Sequence, residues 1–156
     1  MSAKSTKVFG SLILFASVLL PPPVRSEQAD QAAIRAALLK WSMAFNEGNT
    51  RDVCELFSPD LRYDYRGSPE RDYDQMCKQL RKTLGNKDKK FHYSAEIKEI
   101  LVRDDMAVVR IVWTLSISNR TDTEKAAVSK EYGLDVFRRE ASGDWRITRF
   151  LGYDAP

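Results

Sequence analysis

The chain has 156 residues, with 25 Lys and Arg against 22 Asp and Glu, for a formal net charge of +3. Lys4, Lys7 and Arg25 stand in the first 26 residues, which contain no acid, so residues 27–156 carry as many basic as acidic side chains. Balanced, interspersed charge excludes the basic footprint of a nucleic-acid partner, and the length suits one domain with one core.

In chain order, a basic leader comes first, then an apolar-to-small run from Val8 to Leu20, then Pro21, Pro22 and Pro23. Val24 and Ser26 take the −3 and −1 places of a small-residue cleavage site. This is the layout of a secretory signal. The expected division is a signal at 1–26 and one domain at 27–156, exported to the periplasm or beyond. The apolar run is short of the roughly 20 residues of a bilayer-spanning helix, so no membrane association is expected after cleavage. In an oxidising compartment the only two cysteines, Cys54 and Cys77, can form a disulfide; the alternative is a pair of buried thiols. His92 is the single histidine, which excludes a Cys/His zinc cluster, and no metal or cofactor is expected.

The domain reads as helices first and strands later. Asp30 can cap a helix running to about Asn46, with Ile34, Leu38, Trp41 and Phe45 on one apolar stripe. Thr50 can cap a short second helix around Val53, Leu56 and Phe57, ended by Ser58-Pro59-Asp60. Leu61 to Tyr65 alternates as a short strand, and a third helix spans about Arg71 to Leu84. Long strands follow: Phe91 to Val102 turns through Asp104-Asp105 into Met106 to Ser118, and Ala127 to Arg139 pairs with Trp145 to Tyr153. Helices followed by an antiparallel sheet is an α+β order, in which the sheet must curl round the first helix to bury its stripe.

Three segments carry a resemblance: Trp41 to Asn49 at the end of the first helix, the Leu56-to-Asp60 break, and the closing Gly133-to-Arg139 strand with Trp145-Arg146-Ile147. Together they resemble the NTF2-like superfamily, nearest to its SnoaL-like and ketosteroid-isomerase-like domains, over nearly all of residues 28–153. The resemblance implies a cone-shaped, cystatin-like fold, with three N-terminal helices wrapped by a strongly curved, mixed, largely antiparallel sheet. It also implies a deep apolar pocket and, in many members, a homodimer through the outer sheet face.

Ketosteroid-isomerase chemistry needs a carboxylate base and two oxyanion donors, a tyrosine and a neutral aspartic acid. Matched onto this chain, Asp135 falls at the neutral-acid position, Trp41 replaces the tyrosine, and Tyr65 falls at the base position. Asp64, its neighbour, points to the other face of the strand unless the pairing slips by one residue. With Asp135 inward, Glu131, Gly133 and Phe137 follow it, and the same family register turns Arg110 and His92 inward. The expected pocket therefore holds Trp41, Tyr63, Tyr65, His92, Arg110 and Phe137 around Asp135. The opposite parity, with Val109, Ile111, Trp113 and Leu115, is then either a dimer face or, with the parity inverted, the core itself. The expected function is an exported domain that takes a small apolar or amphipathic ligand without isomerase chemistry. The alternative is an isomerase, cyclase or dehydratase using Asp135 with Tyr65, Asp64 or His92. An unpaired, desolvated Asp135 favours the enzyme, and a tight Arg110–Asp135 pair favours binding.

Overall fold

A computed structural model describes residues 26–155, so of the expected export signal only Ser26 lies within the described residues. Ser26 opens the first helix, α1 (Glu27–Asn46), where its Oγ accepts the backbone N–H of Ala29 at 3.2 Å. Asp30 is therefore not the cap. It sits one turn in, buried, and accepts hydrogen bonds from Arg139 Nη2 at 2.7 Å and Trp145 Nε1 at 3.4 Å. The stripe of Ile34, Leu38, Trp41 and Phe45 is buried along α1, as its spacing requires.

The expected second helix is only a 3₁₀ turn, Asp52–Cys54, so two α-helices are present rather than three. The chain straightens after it because the sheet claims it. The Leu56 carbonyl accepts the Ile147 N–H at 2.9 Å, and Phe57 pairs with Ile147. Ser58-Pro59-Asp60 lies inside strand β1 (Phe57–Tyr65), where the register to its neighbour shifts between Phe57 and Arg62. An irregularity of this kind is where a strand tolerates proline's missing N–H. Strand β2 (Arg71–Asp72) pairs with β1. Asp72 and Gln75 then form a capping box at the start of α2 (Tyr73–Leu84). A Cys54–Cys77 disulfide ties α2 to the 3₁₀ turn, with Cα atoms 5.6 Å apart.

The remaining strands are β3 (Lys89–Arg103), β4 (Met106–Asn119), β5 (Asp122–Arg139) and β6 (Trp145–Asp154). The six-stranded sheet runs β2-β1-β6-β5-β4-β3; β1 and β6 are parallel, and every other pair is antiparallel. The molecule is α+β with a mixed sheet. Both helices pack against one face of it, in a single core that joins the α1 stripe to Met76 and Leu80 of α2 and to Val109, Ile111, Trp113, Phe137 and Ile147 of the sheet.

That core settles which face of β4 is inward. Val109 stands opposite Asp135, and Val109, Ile111 and Trp113 are buried with it. The parity assumed from the family register is inverted on β4 and β3. Burying a column of Val, Ile and Trp against α1 gains far more than burying Arg110, Val112 and Thr114 would. Arg110 consequently faces outward and pairs with Glu99 at 3.3 Å. His92 is exposed opposite Ser116, while its neighbours Phe91 and Tyr93 pack against the core.

Candidate functional site

The inner face of β5 carries Glu131, Gly133, Asp135 and Phe137 in alternation. Phe137 is fully buried in the closed end of the core and does not line the cavity. Beyond it the sheet and α2 diverge around a cavity of about 230 Å³. Asp135 and Glu131 line it together with Trp41, Tyr63, Tyr65, Tyr93 and Trp113.

Asp135 stands between Val109 on β4 and Phe150 on β6. It is 2 % exposed, and its Oδ2 has no hydrogen-bond partner. Burial, joined by the nearby charge of Glu131, pushes its carboxyl up to about 8. Asp135 is thus a largely neutral carboxylic acid at neutral pH, with a proton to offer into the cavity.

Glu131 has a different environment two pleats along the same strand. Its Oε2 accepts the Tyr65 hydroxyl at 2.7 Å, and the Arg66 guanidinium lies 4.0 Å away. Burial raises its carboxyl above the usual range, while the Tyr65 hydrogen bond and Arg66 act in the opposite direction. The two acids are therefore driven apart: one lacks any partner for its charge, and the other has two. Tyr65 is held well above the ordinary tyrosine range, by burial first and then by its bond to Glu131. It is a donor at any physiological pH. Tyr93 is raised likewise by burial and by Glu131.

Glycines make the Tyr65–Glu131 contact sterically open. Tyr65 pairs with Gly152, and Gly152 pairs with Gly133, so no side chain rises between the tyrosine and the inner face of β5. A Cβ on Gly152 would meet the Phe150 ring at 2.8 Å and the Tyr65 ring at 3.1 Å.

The residues expected in the pocket divide accordingly. Trp41, Tyr63 and Tyr65 line the cavity with Asp135; His92, Arg110 and Phe137 do not. Trp41 is no oxyanion donor, because its indole N–H is given to the Val53 carbonyl at 2.8 Å. Its ring belongs to an aromatic cluster with Phe45, Tyr93 and Trp113. Asp64 is exposed on the far face of β1, and Tyr65 takes the inward place. Arg110 lies outside, so it does not neutralise Asp135. Of the other lining residues, Glu131 was placed inward by its alternation with Asp135 but given no role. Arg71 was not singled out, because nothing local announces a two-residue strand. Among the described residues no group of three or more His, Cys, Asp or Glu side chains is placed to hold a metal ion.

Comparisons with known proteins agree with this architecture. Three of the solved structures that share the fold serve as examples. An NTF2-like protein with a cystatin-like fold from Novosphingobium aromaticivorans has a TM-score of 0.67 at 16% identity, over 81% of this chain and 82% of its own. A ketosteroid isomerase-like protein from Erwinia carotovora atroseptica gives 0.64 at 23% identity, over 80% and 96%. A candidate scytalone dehydratase, also from N. aromaticivorans, gives 0.66 at 18% identity, over 83% and 86%. No curated protein matches the sequence. The SnoaL-like domain model matches residues 26–150, and the chain belongs to that family.

Proposed function

We propose that this chain is an exported enzyme that moves a proton next to a carbonyl of a small, largely apolar molecule, in an isomerisation, cyclisation or dehydration. One observation carries it: a buried, unpartnered Asp135 carboxyl shares a cavity with a Glu131 carboxylate that is held by Tyr65. A pure binding pocket has no need of a desolvated acid without a counter-charge, whose burial costs stability. The ketosteroid isomerase-like and scytalone dehydratase neighbours support the same class of chemistry.

In this mechanism the substrate carbonyl accepts a hydrogen bond from the Asp135 O–H. That bond strengthens as charge develops on the oxygen. Glu131 takes the proton from the adjacent carbon and returns it at a second carbon, or to a leaving hydroxyl. Tyr65 orients the Glu131 carboxylate. The two acids are four residues apart on one strand, or about 13 Å of backbone, and their side chains reach toward a common space. An apolar cavity of about 150 Å³ accepts benzene, so this one suits a molecule of about two rings.

The test is wash-out of deuterium from the carbon beside the carbonyl of 2-tetralone, followed by NMR. Wild type is expected to exceed the buffer rate, with Asp135→Asn and Glu131→Gln each lowering it by about 10²-fold or more. Folded variants that exchange as fast as wild type would remove both residues from catalysis.

We also propose that the outer face of β5 and β6 joins two copies. Tyr132 and Leu134 on β5 stand opposite Tyr153 and Leu151 on β6, and all four are exposed. Export is supported by the Cys54–Cys77 disulfide, a bond that persists in oxidising compartments.

A further inference from the structure

One row across the sheet links the floor of the cavity to its mouth. Arg71 on β2 pairs with Tyr63 on β1, Tyr63 with Phe150 on β6, and Phe150 with Asp135 on β5. Residues directly opposite in a ladder point to the same face, so all four side chains turn toward the cavity, and all four line it. The middle pair forms a flat apolar step, with the Tyr63 and Phe150 rings stacked at 4.8 Å and 10°. Three strand spacings, about 14 Å along the sheet, separate the two ends of the row.

The ends differ in chemistry. Asp135 closes the inner end as an acid. Arg71 closes the outer end as a half-buried guanidinium beside the Tyr63 hydroxyl. Arg71 has no carboxylate within ion-pair distance among the described residues. This is in contrast to Arg62 with Glu70, Arg66 with Asp154, Arg110 with Glu99 and Arg139 with Asp30. The facing wall is the inner side of α2, where Gln79 and Thr83 add neutral hydrogen-bonding groups at the same mouth. An unpaired guanidinium on the wall of an otherwise apolar cavity is placed to take a planar anion in two parallel hydrogen bonds.

We infer that the substrate carries a carboxylate, which Arg71 holds at the mouth of the cavity while the carbonyl end lies inward at Asp135. The class is a small aromatic or alicyclic keto or hydroxy carboxylic acid of about two rings. The inward placing of the carbonyl rests on the proton-transfer mechanism proposed above; the anion site rests on Arg71 alone. The orientation is enforced from both ends. A carboxylate pushed inward would meet Glu131 and the apolar walls, and would lose Arg71, the only unpaired cation lining the cavity among the described residues.

The probes are 2-naphthoate and its uncharged analogue 2-naphthamide, titrated into the full domain by quenching of tryptophan fluorescence, since Trp41 and Trp113 line the cavity. Wild type is expected to bind the carboxylate at least about 10-fold more tightly than the amide, a preference that shrinks with added salt. Arg71→Gln should abolish the preference and leave amide binding unchanged. Arg71→Lys, which keeps the charge without the fork, should retain part of it and serves if the glutamine variant does not fold. Equal binding of the two probes by wild type would overturn the inference, as would a preference that survives in Arg71→Gln or an equal loss of both probes there. Proton exchange from 2-tetralone, which has no carboxylate, is read separately. Its absence alongside an Arg71-dependent preference would refute the enzyme mechanism and leave the anion site standing; the converse would do the opposite.

Discussion

Asp135 shows how one side chain acquires its chemistry from the strands around it. Its neighbours across the ladder are a valine and a phenylalanine, so nothing replaces the water its charge would have had. The folded protein therefore holds the proton that the unfolded chain releases in the ordinary carboxylate range, near 3.8, up to about 8. With the folded value raised, the stability from neutral Asp135 is complete at low pH and is lost as pH climbs through that window. Urea unfolding at pH 5, 6.5 and 8 should show the wild type losing several kcal/mol relative to Asp135→Asn, which has nothing to titrate there. Glu131 is raised in the same direction and remains in both proteins, so the difference between them isolates Asp135. A constant difference across the three pH values would mean that Asp135 is not held neutral. The same residue scale explains why, of the two alternatives, Asp135 is the unpaired acid and no Arg110–Asp135 pair forms. Ladder register places Val109, not Arg110, opposite Asp135, and one residue of register exchanges every side chain between faces.

At the scale of elements, α2 is the wall most dependent on a single tie. It contributes Met76, Gln79, Leu80 and Thr83 to the cavity, and its Cys77 is bonded to Cys54 at the 3₁₀ turn. Closing a loop of 23 residues contributes about 3 kcal/mol by the chain-entropy model. Replacing both cysteines with alanine should lower unfolding free energy by about that amount. Faster amide exchange confined to α2 should accompany it. Unchanged stability and exchange would show that packing alone holds the helix. How far each element could be read from the sequence follows from where its signal lies. The α1 stripe and the long hairpins carry strong periodicity, and both were legible. Ser58-Pro59-Asp60 was not, because local chemistry reads as a break and only the distant strand β6 draws it into an irregular stretch of strand. On β4 the apolar parity of Val109, Ile111, Trp113 and Leu115 was legible, but whether that face is core or an outer contact surface is decided by contact with α1, which no local window contains.

Across the whole molecule, the sheet has one face committed to the helices and one left over. Leu134 and Leu151, at 42% and 49% exposure, form a cross-strand pair beside Tyr132 and Tyr153, whose rings lie 5.5 Å apart. Four large apolar side chains exposed at neighbouring ladder positions make a patch of the kind that marks an interaction site. The balance of basic and acidic residues over 27–156 means that little net charge opposes the approach of a second copy. In an isologous pair each patch meets its own symmetry mate, so one substitution is felt twice. Sedimentation of the domain at micromolar concentration should give twice the mass of a single chain. Leu134→Lys combined with Leu151→Lys should give the single-chain mass with an unchanged circular dichroism spectrum. Each lysine places a charge opposite apolar surface, and the two copies together introduce four such charges into the contact. A wild-type domain that sediments as one chain at these concentrations would assign the patch to some other partner.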